Sequence, residues 1–107
     1  MVDVGHEYRP GRPVRLLVVE RERRLTVSDQ GAAIGDAGAP RGWRELADHL
    51  ERELNVNMTR HGVVWLPVVP AGPGRAAIVA RIGEASLRFY DGLLDLASEL
   101  EPVRGRR

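Results

Sequence analysis

Leu25, Thr26, Val27 and Ser28 alternate apolar and polar, and the alternation ends in Asp29-Gln30-Gly31. A period of two predicts a half-buried strand over 24–29, with Leu25 and Val27 on one face and Arg24, Thr26 and Ser28 on the other. Ahead of it, Val14-Arg15-Leu16-Leu17-Val18-Val19-Glu20 is an aliphatic run of strand length. It is apolar on both faces, which predicts a more central strand. The charged run Glu20–Arg24 cannot enter a core and reads as the turn of an antiparallel hairpin. Residues 1–12, broken by Gly5, Pro10 and Gly11, read as an irregular lead-in.

After the hairpin, Gly31, Gly35, Gly38, Pro40 and Gly42 predict a stretch that is mostly loop, with one helical turn around Ala32–Gly35. Trp43, Leu46, Ala47, Leu50 and Leu54 then recur at helical spacing, with Arg44, Glu45, Asp48, Glu51 and Arg52 opposite. This predicts a helix starting near Gly42 and stopping at Asn55. A short strand over 56–59, a tight turn at Arg60-His61-Gly62 and a longer strand over 63–69 follow. Pro67 lacks a backbone donor, so that last strand is expected at an edge or to end there. Pro70-Ala71-Gly72-Pro73-Gly74 is a stiff loop. From 75 to 100 a single long helix is expected, with a seam of Val79, Ile82, Ser86, Phe89, Leu93, Leu96 and Leu100. Gly83 and Gly92 weaken it by ~1 kcal/mol each relative to Ala. The basic tail, 101–107, reads as frayed.

The order β-β-α-β-β-α predicts an α+β domain. It has a small antiparallel sheet of about four strands and two main helices, as a single domain over 1–107. With 107 residues and 43% hydrophobic content, a folded chain with its own core is expected. The absence of cysteine excludes disulfides and thiolate chemistry and fits a reducing cytoplasm. No apolar run reaches the ~18 residues of a membrane span, and the first residues have no apolar core of a signal peptide.

Several of these units resemble a family of small, uncharacterised bacterial and phage domains. They are the hairpin corner Thr26-x-Ser28-Asp29-x-Gly31, the unit ELNVNMTRHGVVWLPV, and the helix RFYDGLLDL, where Arg88-Phe89 precedes Leu93-Leu94. The resemblance spans about residues 14–96. It implies the same fold order, a strand closing in a Thr-Asp-x-Gly-like corner, and no assigned activity.

Charge narrows the function classes. All sixteen basic residues are Arg, yet the net charge is only +1. A phosphate footprint needs a basic excess, so the arginine enrichment reads as codon bias. The groups that stand out are Arg21, Arg23 and Arg24, diluted by Glu20 and Glu22, and Arg104, Arg106 and Arg107, which are uncompensated. They are the candidate nucleic-acid contacts, for weak binding.

Catalytic chemistry finds little support. Asp29 at a strand end has no second carboxylate or histidine at short spacing, so it reads as a turn residue whose side chain binds the backbone ahead, with Gly31 left-handed. Gly31, Gly35 and Gly38 lack the order of a phosphate-binding loop. His6, His49 and His61 share no metal-ligand spacing. Ser28, Ser86 and Ser98 lack a nucleophile elbow, and Ser86 reads as a small packing residue. No catalytic residue, cofactor or metal is expected.

The expectation is therefore a non-catalytic protein-interaction module, cytoplasmic, and a homodimer. Its candidate interface residues are Val63, Trp65, Leu66, Phe89 and Tyr90, on the strand and the long helix that carry more apolar surface than one small sheet needs. The alternative is a nucleic-acid-associated accessory protein using surface arginines. A weaker one is a ligand pocket near Asp29.

Overall fold

A computed structural model describes residues 1–99. Eight elements follow in order: β1 Val2–Arg9, β2 Arg12–Arg21, β3 Arg24–Ser28, α1 Ala32–Ala37, α2 Trp43–Leu54, β4 Asn57–Met58, β5 Val64–Val68 and α3 Arg75–Glu99. The fold is α+β. One antiparallel sheet has the order β1-β2-β3-β5-β4.

The lead-in expected to be irregular is instead an edge strand. Arg9 pairs with Arg12, so Pro10-Gly11 forms a two-residue turn with Gly11 at φ 85°. Proline followed by a left-handed glycine suits a type II turn. The strand was hard to read because register shifts between Asp3 and Glu7, and again between Glu7 and Arg9, break its alternation. Despite these shifts Val2, Val4 and Tyr8 turn toward the same side.

The β2–β3 hairpin forms where the charged run predicted it. Arg21 pairs with Arg24, leaving Glu22 and Arg23 as the loop, both with positive φ, 51° and 66°. This is the sign pattern of a type I′ turn, whose backbone twist matches that of the strands.

Paired residues share a face, so the sheet sorts cleanly. Val14, Leu16, Val18, Val27, Val64 and Leu66 pack into the core. Against them lie Ile78, Ile82, Ala85, Phe89 and Leu93 of α3 and Ala47 and Leu50 of α2. Phe89 is fully buried, worth ~2–3 kcal/mol by apolar burial. The alternate residues, Leu17, Val19, Thr26, Ser28, Trp65 and Pro67, face the other way.

β5 lies inside the sheet by strand order, yet Pro67 is tolerated. The Asp29 N–H donates to the Val64 carbonyl at 3.0 Å. Counting in twos from there, Val27–Leu66 and Leu25–Val68 exchange backbone bonds and Pro67 points its nitrogen away from β3. On that outer side β4 pairs only with Val64 and Trp65, so no donor is missed.

Helix bounds follow their caps. α2 begins after Gly42 at φ 89° and ends at Asn55 in the left-handed conformation, as its sequence predicted. α1 is longer than the single turn expected. On α3 the buried stripe takes in Ile78, Ile82, Ala85, Ser86, Phe89, Tyr90 and Leu93. Ile78, off the expected seam, and Tyr90, expected at an interface, are therefore core residues; Leu94 is exposed. The glycines of α3 have a packing reason. A Cβ on Gly83 would meet Val4 of β1 at 3.3 Å, and one on Gly92 would meet Leu46 of α2 at 2.7 Å. Leu100, the expected end of the seam, and the tail 101–107 lie outside the described residues.

Candidate functional site

Asp29 sits where β3 leaves the sheet and is 1% exposed. Its Oδ1 accepts the backbone N–H of Gly31 at 2.8 Å and of Val64 at 3.0 Å. Its Oδ2 accepts the Ser86 hydroxyl at 2.7 Å. The Asp29 carbonyl is engaged elsewhere, accepting Ala32 N–H at 2.9 Å. The side chain thus replaces its own carbonyl in the ladder with β5. The freed carbonyl starts α1, and Gln30 and Gly31 take positive φ to make the corner. A carboxylate one bond longer from the backbone is what lets the chain turn without orphaning Val64 N–H.

Ser86 extends this node. With its proton on Asp29, it receives the Tyr8 hydroxyl at 2.6 Å. Ser86 is therefore more than a small packing residue: it links α3 to the β3 corner and to β1. The Tyr8 ring lies 5.1 Å from Tyr90, tilted by 45°. Burial pushes the Asp29 carboxyl above its ordinary value, against the pull of its hydrogen bonds to Ser86, Gly31 and Val64. Burial pushes the Tyr8 phenol up to about 12, so it stays protonated and donates. No buried side-chain polar atom among the described residues lacks a partner.

The chemistry of this node is structural. Ser86 is fully buried, and its neighbour is a carboxylate that already accepts three hydrogen bonds. His6, His49 and His61 are exposed; His49 Nε2 stands 3.2 Å from Glu53, which also takes Arg88 at 2.8 Å. No group of three metal-ligating side chains forms among the described residues.

A second ion-pair cluster flanks the node. Arg9 and Arg12, either side of the β1–β2 turn, reach Asp36 of α1 at 3.1 and 3.3 Å. The Arg9 guanidinium holds the Asp36 carboxyl below its ordinary value. Between this hairpin and the Asp29 corner lies a cleft of about 570 Å³. It lies where the weakest of the sequence alternatives placed a ligand pocket, near Asp29, and its other walls come from segments distant in sequence.

The expected interface residues separate. Phe89 and Tyr90 are buried against Trp43 and Tyr8, and Leu66 packs into the helix-facing core. These three are spent inside the chain. Trp65 is half-buried on the open face of the sheet, and Val63 lies beside Gly31 just before β5. Arg21, Arg23 and Arg24 are exposed at the tip of the β2–β3 hairpin. Arg104, Arg106 and Arg107 lie outside the described residues. Among the described residues no helix is long and apolar enough to cross a membrane.

No family model, curated protein or solved structure matches the chain. Geometry alone carries the functional reading.

Proposed function

We propose that the protein is a non-catalytic interaction module of the cytoplasm that pairs with a second copy of itself through the open face of the sheet around Trp65. The supporting observation is one-sided packing. All core contacts of the helices are to the face carrying Val14, Leu16, Val27 and Val64. Leu17, Val19, Trp65, Pro67 and Val69 form an apolar stripe on the opposite face, and Val69 is 48% exposed. The N-terminal segment, which could have folded across this face, instead extends the sheet as β1 and directs Val4 and Tyr8 at α3.

Charge favours a copy of this chain as the occupant. Asp3 pairs with Arg15 and Glu7 with Pro13, so both acids share the open face toward the β1–β2 turn. Arg21 and Arg24 close the same face at its other end. A two-fold axis across the strands lays one copy's acidic end over the other's basic end, with the apolar stripes between. The lack of cysteine fits a reducing compartment. The test is solution mass by light scattering with a Trp65→Glu variant.

A second reading is favoured by the hairpin tip. Arg23 occupies a turn position with positive φ that glycine fills at less cost, beside the exposed Arg21 and Arg24. Strain kept at an exposed arginine supports a role in weak contact with nucleic-acid phosphates. Salt-dependent retention on DNA, lost in Arg23→Gly, tests it.

A further inference from the structure

The cleft beside Asp29 has a structural origin. β2 pairs with β3 only from Leu17 to Arg21, and with β1 only from Arg12 to Leu16. Arg21 and Arg24 close the hairpin and exchange backbone bonds. Counting in twos, Val19 and Leu17 point their N–H and C=O at β3, and Arg15 points its own to the same side. Ser28 stands opposite Leu17, so Gln30 would come opposite Arg15 if β3 ran on. Gln30 instead takes φ 57° in the Asp29 corner, and its N–H binds Ser28 Oγ at 2.8 Å. No described strand therefore lies beside residues 12–16 on that side, and the cleft of about 570 Å³ takes the place. Pro13 and Arg15 edge it, Tyr8 and Ala32 line it toward the helices, and Asp29 and Gln30 close its end.

We propose that this cleft binds a short, extended, uncharged stretch of peptide that pairs with the backbone of β2 and continues the line of β3. What the walls leave unpaired carries the argument. Arg15 stands opposite Asp3 and Pro13 opposite Glu7 on one face of the β1–β2 hairpin, while Arg9 and Arg12 share Asp36 on the other. Three arginines thus meet three carboxylates. Asp29 turns both its oxygens inward to Gly31, Val64 and Ser86. The charges are matched and the backbone is not: on the cleft side neither Arg15 N–H nor the Arg15 and Pro13 carbonyls meet a described strand. An added strand completes such an edge, and its main-chain bonds supply the affinity. Pro13 has no N–H to offer, so the site asks its ligand for two donors and one acceptor.

Length and shape fit a stretch of about three residues. The open part of β2 spans ~16 Å at ~3.3 Å per residue, and a cleft of this volume is within the ~300–1,000 Å³ in which proteins hold small ligands. In an antiparallel ligand, the residue opposite Arg15 donates to the Arg15 carbonyl and accepts the Arg15 N–H. The residue two places on donates to the Pro13 carbonyl. Both carry their side chains on the face of Arg15, where polar groups stay in water. The residue between them comes opposite Val14 and turns toward the helices, where Tyr8 and Ala32 line the cleft, so a small apolar side chain suits it. Tyr8 is held by Ser86 at 2.6 Å, so this wall is set before a ligand arrives.

The experiment is a titration of the ¹⁵N-labelled protein with N-acetyl-Thr-Val-Thr-amide, an uncharged probe with the polar-apolar-polar alternation the cleft asks for. The expected result is saturation at millimolar peptide, with shifts centred on the amides of Arg15, Gln30 and Gly31. N-methylation of the first threonine removes the donor to the Arg15 carbonyl and should weaken binding by about tenfold. N-methylation of the valine, whose nitrogen faces away from β2, should leave it unchanged. Arg15→Ala keeps the backbone groups and should bind as wild type, whereas Arg15→Pro removes the N–H and should lose about tenfold. The two methylated peptides carry the test if Arg15→Pro fails to fold. Absence of saturation, equal losses from the two methylated peptides, or loss of binding in Arg15→Ala overturns the proposal. Run on the Trp65→Glu chain, the same titration reads the cleft without self-association, so its outcome stands apart from the reading of the open face.

Discussion

Val64 donates its backbone N–H to the side chain of Asp29 at 3.0 Å, while Asp29 returns its own N–H to the Val64 carbonyl at 3.0 Å. One residue thus completes the ladder with its backbone on one side and its carboxylate on the other. Removing that carboxylate strands Val64 N–H, Gly31 N–H and the Ser86 hydroxyl together. Asp29→Ala should therefore cost ~3 kcal/mol, the penalty of several buried unsatisfied groups. Asp29→Asn keeps an oxygen for the two amides and a donor for Ser86 Oγ, and should cost ~1 kcal/mol. Urea denaturation of both variants checks this; equal losses would show that the charge and not the acceptor geometry matters.

The same residue gives a pH dependence with a definite sign. Burial raises the folded-state Asp29 above its ordinary 3.8. The folded protein then holds a proton that the unfolded chain has lost, so stability falls as pH rises through the window above 3.8. Asp36 is lowered, and its stabilisation is present above 3.8 and lost only as pH falls below it. Relative to Asp29→Asn, the wild type should gain stability as the pH is lowered from neutral toward 4. The difference between their urea midpoints, followed with pH, reads this directly.

Tyr8 supplies the alkaline counterpart. Its folded-state value of about 12 lies above the ordinary 10.0. The folded state keeps the phenol proton where the unfolded chain gives it up, so stability is lost as pH rises from 10 toward 12. The ring is partly exposed, so solvent screening reduces the effect to about 1 kcal/mol. With no Lys and no Cys in the chain, tyrosinate absorbance can be followed without those groups titrating alongside. A step near pH 12 that vanishes in Tyr8→Phe is the expected outcome.

Much of the fold was legible because local chemistry and global packing agree. The alternation of Leu25 and Val27, the helical stripe from Trp43 to Leu54, and Asn55 as its stop each name an element that the chain forms. β1 was not legible, since its bulges break the period and its partner hairpin is announced only by Pro10-Gly11. The turn role of Asp29 was readable from Asp-x-Gly, but its depth was not. Two of its donors come from Val64 and Ser86, residues 35 and 57 positions away, and no local pattern carries that. A pocket near Asp29 was among the alternatives the sequence offered, but not its walls, because Tyr8, Arg12 and Arg15 come to it from β1 and β2.

Gly62 separates strain from space. It has φ 83°, and a Cβ there would lie 2.7 Å from Ile34 Cδ1 and 3.3 Å from its Cβ. Gly11 has φ 85° with nothing within 4 Å. Gly11→Ala should cost about 1 kcal/mol from backbone strain alone. Gly62→Ala adds the displacement of Ile34 and should cost about 2–3 kcal/mol. Thermal unfolding of the two variants side by side checks the difference.

At the hairpin tip, Glu22→Asn with Arg23→Gly supplies the residues a type I′ turn prefers. The double variant should be about 1 kcal/mol more stable than wild type. If the tip contacts nucleic acid, that gain comes with loss of binding. The wild-type affinity for DNA should in any case be no tighter than ~10 µM near physiological salt, given the net charge of +1. A nanomolar, sequence-preferring complex in a fluorescence anisotropy titration would contradict this.

In the proposed dimer the contact is the open face. Trp65 stands one strand in from the β4 edge of it, opposite Ser28 on one side and Asn57 on the other, with Leu17 one strand further across. Phe89 and Tyr90 are already buried, so in the proposed dimer the association energy would fall on the sheet rather than on α3. Trp65 is the aromatic anchor of that stripe, and anchors of this kind carry a disproportionate share of binding energy. Trp65→Glu should leave the helix-facing core untouched, because the side chain points away from it, and should abolish association. Light scattering at micromolar concentration should give about twice the chain mass of 11.8 kDa for wild type and the single-chain mass for the variant, with unchanged circular dichroism. Raising the salt should weaken the wild-type dimer only modestly, since Arg21 and Arg24 facing Asp3 and Glu7 set its orientation more than its strength. A wild-type mass that stays at the single-chain value on concentration removes the self-association reading. A dimer unaffected by Trp65→Glu moves the contact off this face.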